Sequence, residues 1–288
     1  MIPVQEKMIT LAIPNKGRLK EPTLRLLKKA GYNFRKRDRL LYSTCTNADL
    51  QIYFLRTDDI PVLVDSGVID MGITGSDLLA ERKVSVDEVL ALNYGRCRLC
   101  VAVKDDFKGD EIKDLEGKTI ATSFPEITEQ YFSEKGVSIT CIEMNGSLEI
   151  MVGLKLADAI VDIVETGDTL RDNNLKVFKE INTYRTVVVA HKKVSQLPKV
   201  RKIVRRLEGI LIAEEYSLLE YNIKGEVLKK AEKITPGFES PTISELDEPD
   251  WFAVKVMVKK KEVVDTMDRL EAIGATAILE TEILNCRL

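Results

Sequence analysis

The segment from Asp158 to Leu170 places an acidic residue near the end of an apolar strand and follows it with a loop rich in threonine and glycine. A helix-like stretch continues to Leu175. Backbone N–H groups at a helix start bind phosphate, and glycine allows the phosphate to approach closely. Asp162 can accept hydrogen bonds from sugar hydroxyls. The pattern therefore predicts a site for phosphorylated ribose, and a buried strand that ends in a capped turn is the structural alternative.

Composition limits the classes of protein to which the chain can belong. Its 288 residues suffice for two or three domains with sizeable cores. Charged residues make up 31% and the net charge is −3, so no nucleic-acid partner is expected. The first seven residues lack the pattern of a signal peptide, and no apolar stretch is long enough to span a bilayer. We therefore expect a cytoplasmic protein without membrane contact.

The cysteines and the single histidine do not form a pattern of metal or redox chemistry. Cys97 and Cys100 make a C-x-x-C motif, but they lie in a predicted strand, and the other three cysteines are scattered. Reduced thiols in a protein core are therefore favoured over zinc or redox use. His191 follows an apolar run and has no serine or cysteine motif beside it, so a place at the end of a strand is favoured over catalysis.

Two series of β-branched runs alternate with amphipathic stretches over about the first 215 residues, which is typical of α/β sheets. Sheets of this kind bind ligands at the carboxyl ends of their strands, so two lobes with a ligand cleft between them are expected. A segment at 183–190 could return the chain to the first lobe. The predicted strands lie at 8–13, 52–55, 69–73, 98–103, 119–122, 138–142 and around Asp162, and the predicted helices at 19–30, 59–65, after 77, 127–135, 148–156 and 200–215.

The last 72 or so residues have a different order of elements. They predict strand, helix, strand, strand, helix and strand, which is the order of a ferredoxin-like unit. By analogy of fold, such an appended domain is expected to sense a ligand or to mediate dimerisation. The strands are predicted at 217–222, 241–246, 251–258 and 277–284, and the helices at 225–233 and 262–273.

Motifs along the whole chain resemble those of ATP phosphoribosyltransferase. Residues 149–170 read E-x5-K-x-A-x2-I-x-D-I-x2-T-G-x-T-L, which is similar to the signature of that family. One departure is Lys155, where the family usually has glycine, and a packing or capping change is expected there. Further similar motifs lie at 14–19, 56–61, 70–75, 95–99, 237–242 and 273–278, and the last two indicate the long, self-regulated form.

The resemblance implies a fold and an activity. The fold is α/β, with a two-lobed, periplasmic-binding-protein-like catalytic body and a carboxyl-terminal ferredoxin-like, ACT-like domain. The implied boundaries are 1–95 plus 184–212 for lobe I, 96–183 for lobe II and 213–288 for the regulatory domain. The implied reaction is the first step of histidine biosynthesis: ATP and phosphoribosyl pyrophosphate give N1-(5-phosphoribosyl)-ATP and pyrophosphate. Mg²⁺ is required, histidine inhibits, and dimers assemble into hexamers.

The implied chemistry needs no enzymic nucleophile, because N1 of adenine attacks the anomeric carbon directly. Catalysis would then depend on holding two anionic substrates in line and on stabilising the charge that builds on pyrophosphate. Planar guanidinium groups match phosphate oxygens well. The residues assigned by the resemblance are Asp162, Glu165, Thr166, Gly167, Asp168, Thr169 and Leu170 for phosphoribosyl pyrophosphate, Lys16, Arg39 and Arg56 for catalysis, and Arg18, Thr74 and Gly75 for ATP or pyrophosphate.

The resemblance also implies a histidine site between the appended domains of neighbouring subunits. The matching positions are Asn222, Thr242, Ala275 and Ala277, of which Thr242 and Ala277 could equally be packed strand residues. An acidic residue at position 222 would bind the ammonium group of histidine more strongly than asparagine does, and Glu220 could compensate.

Two other functions remain open from the sequence. A non-catalytic two-lobed binding or sensor protein would share the same lobes and cleft. A different phosphoribosyltransferase would carry two adjacent acidic residues before its Thr-Gly loop, whereas here only Asp162 precedes Ile163 and Val164. The transferase that uses ATP is the favoured interpretation.

Overall fold

The computed structural model describes residues 8–35, 40–144 and 146–287. The described residues group into two compact units, which lie within Met1–Leu24 plus Asn33–Arg201 and within Arg25–Tyr32 plus Lys202–Leu288. The first unit contains a six-stranded and a five-stranded sheet, and the second unit contains a four-stranded sheet. The domain boundaries expected from the sequence stay predictions.

The first sheet alternates strands with helices, as the sequence pattern predicts. Its parallel strands are buried, so they read as continuous apolar runs. The elements are β1 (Ile9–Pro14), α1 (Lys20–Lys29), β2 (Tyr42–Thr44), β3 (Leu50–Leu55), α2 (Ile60–Asp65), β4 (Met71–Gly75), α3 (Ser76–Arg82) and β5 (Asp87–Ala91).

The second series builds the second sheet and then returns to the first. Its elements are β6 (Cys97–Lys104), β7 (Thr119–Thr122), α4 (Pro125–Glu134), β8 (Thr140–Glu143), α5 (Leu148–Gly153), β9 (Ala159–Val164), α6 (Asp168–Asp172), β10 (Leu175–Tyr184), β11 (Thr186–Ala190) and α7 (Pro198–Glu215).

The strand orders show where the carboxyl ends of the parallel strands meet. The first sheet has the order β2-β3-β1-β4-β11-β5, and the second has the order β10-β6-β9-β7-β8. Strand β1 lies parallel to both β3 and β4, and β7 lies parallel to both β8 and β9. Strand β11 pairs antiparallel with β4, which confirms that the chain returns to the first sheet.

Both sheets of the first unit are buried on their faces. On the first sheet, α2 packs closely because Gly72 has no side chain: a Cβ there would lie 2.4 Å from the Cγ2 of Ile60. On the second sheet, alternate residues of β6 enter two different core clusters, Leu99 and Val101 in one and Cys100 in the other. A sheet that buries both faces explains the runs of apolar residues without clear alternation.

The third sheet has the ferredoxin-like topology that the sequence predicts. Its elements are β12 (Tyr216–Lys224), α8 (Gly225–Ile234), β13 (Thr242–Glu245), β14 (Trp251–Lys259), α9 (Val263–Glu271) and β15 (Thr276–Glu282), in the sheet order β13-β14-β12-β15. Alternate residues of β12, among them Leu219 and Tyr221, are buried in the core of this unit with apolar residues of α8 and α9. The residues between them lie on the opposite face.

Three strands were not predicted from the sequence, namely β2, β5 and β10. Strand β10 lies mostly exposed at the edge of the second sheet, and charged and polar residues interrupt its apolar pattern. The stretch from Leu170 to Leu175 is also not a helix throughout, because α6 ends at Asp172 and Leu175 begins β10. Among the described residues, none of the helices combines the length and apolar composition of a membrane span.

Lys155 corrects the prediction of a helix up to residue 156. Helix α5 ends at Gly153, and Lys155 adopts a left-handed backbone conformation with φ of 61°. Glycine adopts this conformation without the steric cost that a Cβ brings. Glycine therefore fits this turn between α5 and β9 without strain, whereas the backbone of lysine is strained there.

We predict that Lys155→Gly leaves the protein as stable or raises its free energy of unfolding by up to about 1 kcal/mol. Glycine removes the left-handed strain of about 1–2 kcal/mol, and part of this gain is offset by the greater entropy of the unfolded chain. Thermal and urea unfolding would measure the change. Lys155→Ala is the matched control, because it keeps the Cβ and the strain. A glycine variant less stable than the alanine variant would contradict the assignment.

Candidate active site

The first side of the site is the carboxyl edge of the first sheet. Strands β1, β3 and β4 are neighbours in this sheet, and Lys16, Arg18 and Arg56 follow the ends of β1 and β3. The backbone N–H of Asn15 donates to the carbonyl of Leu55 at 2.8 Å, so the two segments leave the sheet side by side. Lys16 and Arg56 are exposed at this edge and the Arg18 side chain is 32% exposed, so all three can contact an anionic ligand.

Thr74 and Gly75 lie at the end of β4 rather than in a separate loop. Thr74 is fully buried and its hydroxyl donates to the carbonyl of Thr57 at 3.2 Å. Its side chain therefore supports the segment that carries Arg56, and a direct contact with a ligand is not favoured. Gly75 leaves space for a neighbouring carboxylate, since a Cβ there would lie 2.0 Å from the Oδ1 of Asp77.

Three buried side-chain oxygens near this edge have no hydrogen-bond partner among the described residues. They are Oδ1 of Asn15, Oδ1 of Asp77 and Oγ1 of Thr186, and they belong to segments at the ends of β1, β4 and β11. Burial raises the pKa of Asp77, although nearby Arg18 opposes this shift. Buried polar atoms without a protein partner are rare and often mark functional sites.

The second side of the site is the end of β9 in the second sheet. Asp162 lies on β9, and its Oδ1 accepts from the backbone N–H of Ile163 at 2.7 Å. The pKa of Asp162 is raised to about 6. Burial is the largest cause, the hydrogen bond from Ile163 opposes it, and the nearby Glu149 carboxylate adds to it. Glu149 belongs to the matched signature, but it was not assigned to the site from the sequence.

The loop after β9 leads directly into the short helix α6. Gly167 has φ of 82° and precedes α6, whose first N–H groups therefore follow the loop. The hydroxyl of Thr166 donates to Asp168 at 2.5 Å, and Arg171 also pairs with Asp168. The hydrogen bond from Thr166 and the charge of Arg171 lower the pKa of Asp168. These bonds hold the Asp168 carboxylate within the loop.

Two further loop residues differ in their exposure. Thr169 is exposed, so its side chain is available to a ligand. Leu170 is buried in a core cluster of the second sheet, and its expected part in phosphate binding, through the backbone of the loop, stays a prediction. Its side chain anchors α6, and only its backbone can take part in phosphate binding.

Arg18 and Glu165 join the two sides of the site. The Arg18 guanidinium pairs with the Glu165 carboxylate, which connects the segment after β1 with the loop after β9. Burial disfavours the charged form of Arg18, but hydrogen bonds to Cys97 and Glu165 raise its pKa overall. The pair shows that the carboxyl edges of the two sheets face a common space. Sequence spacing alone does not indicate this contact, because 147 positions separate the two residues.

The chain segments that cross between the two sheets are closely packed. Gly95 has φ of 68°, and a Cβ there would lie 2.4 Å from both the Cδ2 of Leu19 and the Oγ1 of Thr186. At the other crossing, the Ser76 N–H donates to the Arg185 carbonyl at 2.9 Å. The Arg185 N–H in turn donates to the Ser76 hydroxyl at 3.1 Å. These contacts position the start of α3 beside the site.

Glu81 links α3 to the second sheet. Its two carboxylate oxygens each accept at 3.1 Å from the backbone N–H groups of Glu126 and Ile127 in the first turn of α4. Such a carboxylate caps the unpaired donors at the start of a helix. Glu81 thereby holds α3 against α4.

The remaining predicted residues lie elsewhere or outside the description. Arg39 lies outside the described residues. Asn222 pairs with Thr276 across β12 and β15, next to an irregularity of the pairing in which Ala277 has φ of 49°. Ala275 is buried, whereas Thr242 is exposed on β13. Glu220, expected to compensate for Asn222, is paired with Lys255 at 2.8 Å.

Comparison with known proteins shows the family of this chain. The family model described as ATP phosphoribosyltransferase matches residues 56–209, and the model described as HisG, C-terminal domain, matches residues 213–285. An ATP phosphoribosyltransferase from Rhodopirellula baltica is 47% identical over 283 residues, which cover 98% of this chain and 95% of the relative. The chain belongs to the ATP phosphoribosyltransferase family.

Other relatives support the same membership. An ATP phosphoribosyltransferase from Corynebacterium diphtheriae is 40% identical over 98% of this chain and 100% of its own length. Among solved structures, the ATP phosphoribosyl transferase (HisG:HisZ) complex from Thermotoga maritima matches with a TM-score of 0.64 and 32% identity, and it covers 72% of this chain and 99% of that chain. An L-cystine ABC transporter protein from Listeria monocytogenes matches with a TM-score of 0.50 and 16% identity over 78% of this chain and 94% of that one, which shows the two-lobed fold alone.

We compare the free energy of unfolding of Asp162→Asn with that of the wild type at two pH values. We predict that the difference favours the variant more at pH 8 than at pH 4, by up to about 2 kcal/mol. The folded state binds the Asp162 proton more tightly than the unfolded state, because burial raises this pKa to about 6. The wild type therefore loses stability as the pH rises from about 4 to above 6, and asparagine does not titrate. Urea unfolding at both pH values would measure this.

The exposed Asp172→Asn serves as the control for the loss of one negative charge. An equal effect of Asp162→Asn at both pH values would show that Asp162 has an ordinary environment in the folded protein.

Proposed function

We propose that the residues at the two sheet edges carry out the family's reaction, in which phosphoribosyl is transferred from phosphoribosyl pyrophosphate to N1 of ATP. The observation that carries this proposal is the Arg18–Glu165 contact, because it brings a cationic edge and a phosphate-type loop to one space. As the reaction proceeds, the bond between N1 and the anomeric carbon forms. The bond from that carbon to pyrophosphate breaks, and the electron pair leaves with pyrophosphate.

In this proposal the second sheet holds the sugar. The backbone around Gly167 and the start of α6 binds the 5-phosphate, since glycine allows close approach and the N–H groups point toward the loop. Asp162 accepts hydrogen bonds from the ribose hydroxyls. Together with Glu149, it also places negative charge where positive charge builds on the sugar as pyrophosphate leaves.

The first sheet binds the phosphates of both substrates in this proposal. Lys16, Arg18 and Arg56 extend from the ends of neighbouring strands, and their charges stabilise the departing pyrophosphate. A substrate phosphate near Arg18 would compete with Glu165 for the guanidinium. The pair is solvent-exposed, and exposed ion pairs contribute only about 0–1 kcal/mol, so exchanging Glu165 for a phosphate costs little.

We expect Mg²⁺ to bind at this site mainly through substrate phosphates. Within the described residues, no group of three or more His, Cys, Asp or Glu side chains could hold a metal ion. Mg²⁺ commonly keeps several waters and binds through one or two carboxylates plus substrate phosphates. Asp162 and Glu149 are the pair of carboxylates that could contribute. When bound, the ion would neutralise charge on the pyrophosphate.

The activity test measures N1-(5-phosphoribosyl)-ATP formed from ATP, phosphoribosyl pyrophosphate and Mg²⁺, with pyrophosphatase present. We predict that the wild type forms product and that Arg56→Ala lowers kcat/KM by about 100-fold or more, because a charge that stabilises the leaving group is lost. Arg82→Ala, at the far end of α3, is the matched control and should keep wild-type rates. A folded wild type that binds ATP without turnover would favour a binding protein, and wild-type rates in Arg56→Ala would remove Arg56 from the site.

We further propose that the third sheet binds histidine between two copies of the chain. Asn222, Glu220 and Lys255 share the face of the sheet that lies opposite the packed helices, and Thr242 pairs with Lys255 at its edge. The Lys255 ammonium neutralises Glu220, so Asn222 is the group on this face best placed to accept from the ligand's ammonium. A second copy on the same face would enclose the ligand.

We predict that Asn222→Asp lowers the histidine concentration needed for half inhibition by about tenfold, because a carboxylate binds an ammonium more strongly than an amide does. Asn222→Leu should raise that concentration by a similar factor and leave uninhibited turnover unchanged. Inhibition curves of both variants in the product assay would measure the effect. Glu226→Gln on α8 is the control for a change of charge in the same unit. Equal inhibition in all variants would place the histidine site elsewhere.

A further inference from the structure

A basic pocket lies within the second unit, along α7 and the carboxyl-terminal segment. Its volume is about 430 Å³. Four cationic side chains line it, namely Lys202, Arg205, Arg206 and Arg287, and Glu208 is the carboxylate among its lining residues. The lining therefore carries a net positive charge of three at neutral pH. None of the residues that we assign to catalysis or to histidine binding belongs to this pocket.

The spacing on α7 presents these charges on one face of the helix. Lys202, Arg205 and Arg206 stand at positions i, i+3 and i+4, and Gly209 follows at i+7, so their side chains are neighbours on the helix surface. Like charges at these spacings destabilise a helix slightly. The cluster thus does not help α7 to fold, and an anion bound between the charges would relieve their repulsion.

Contacts within the second unit hold part of the cluster in place before any ligand binds. The Arg206 guanidinium lies 5.3 Å from the centre of the Tyr32 ring, where cation–π attraction orients it. Arg287 donates to the side chain of Asn285 and to the carbonyl of Cys286. Two of the four cations therefore have defined positions, which lowers the entropic cost of binding.

Gly209 allows the carboxyl-terminal segment to form one wall of the pocket. A Cβ at this position would lie 2.1 Å from the carbonyl oxygen of Cys286 and 2.3 Å from the Arg287 guanidinium. The N–H of Cys286 donates to the carbonyl of Gly209 at 3.3 Å. This close approach to α7 brings Arg287 beside the helical cations.

We propose that the basic pocket binds a small anion with two linked phosphate groups. Guanidinium groups bind phosphate oxygens in pairs, and lysine adds a point charge. Two linked phosphates carry enough charge to balance the excess of three. Inorganic pyrophosphate and a nucleoside diphosphate both contain a diphosphate group. The experiment must therefore distinguish between these two ligands.

Counting the bound anions tests the proposal on the full-length protein. Pyrophosphate is also the product of the family's reaction, so one molecule is expected at the active site and a second at the basic pocket. Equilibrium dialysis with labelled pyrophosphate should show two per chain. Arg205→Gln/Arg287→Gln should retain one, with affinity for the other lowered by about tenfold or more. Lys229→Gln/Lys230→Gln on α8 removes the same charge and should retain two.

One pyrophosphate per chain in the wild type, or two with unchanged affinity in Arg205→Gln/Arg287→Gln, would overturn the proposal. If that double variant fails to fold, Lys202→Gln replaces it, and pyrophosphate should protect Lys202 of the wild type from acetylation. Unprotected Lys202 would overturn the proposal as well. Adenosine diphosphate then shows which of the two ligands the pocket binds. If its affinity for the pocket equals that of pyrophosphate, the ligand is free pyrophosphate. If it binds at least tenfold more tightly than pyrophosphate, the ligand is a nucleotide.

Discussion

The chain crosses twice between the first and second sheets, and the site depends on this double crossing. Gly95 permits one crossing to pass within contact distance of Leu19 and Thr186, and Arg185 ties the other to Ser76 at the start of α3. Because both crossings are anchored at the same edge, the carboxyl ends of the parallel strands in both sheets face one space. A bulkier residue at position 95 would clash with Leu19 and Thr186 and would displace this crossing.

Charge is divided between the two sides of this space. The first sheet supplies cations and the second supplies carboxylates and a loop that leads into a short helix, and in the proposed reaction these groups complement the charges of the two substrates. Arg18 and Glu165 pair across the space, but the pair is exposed and therefore weak. The two crossings hold the edges in place, so in the proposed reaction a substrate phosphate can replace Glu165 beside Arg18 without loss of this arrangement. Asp162 is different, because its burial raises its pKa and makes its charge costly.

The second unit carries its own chemistry on a separate sheet and helix. Its ferredoxin-like sheet buries one face and leaves polar residues such as Asn222 and Lys255 on the other. Left-handed Ala277 lies beside Asn222, and strain of this kind persists where the surrounding structure requires it. The basic face of α7 adds a concentration of positive charge that folding alone does not explain. These two features are the basis of the two ligand sites that we propose outside the active site.

The sequence by itself determined the order of most elements and the family, because apolar periodicity and motifs such as Thr166–Leu170 are local. It did not reveal β10, whose exposed edge position breaks the apolar pattern, or the strained turn at Lys155, which depends on how α5 meets β9. Only the tertiary structure decided that Arg18 meets Glu165, that Leu170 is buried and that Glu149 lies near Asp162. Contacts between distant segments follow from the packing of whole sheets, and no local pattern encodes them.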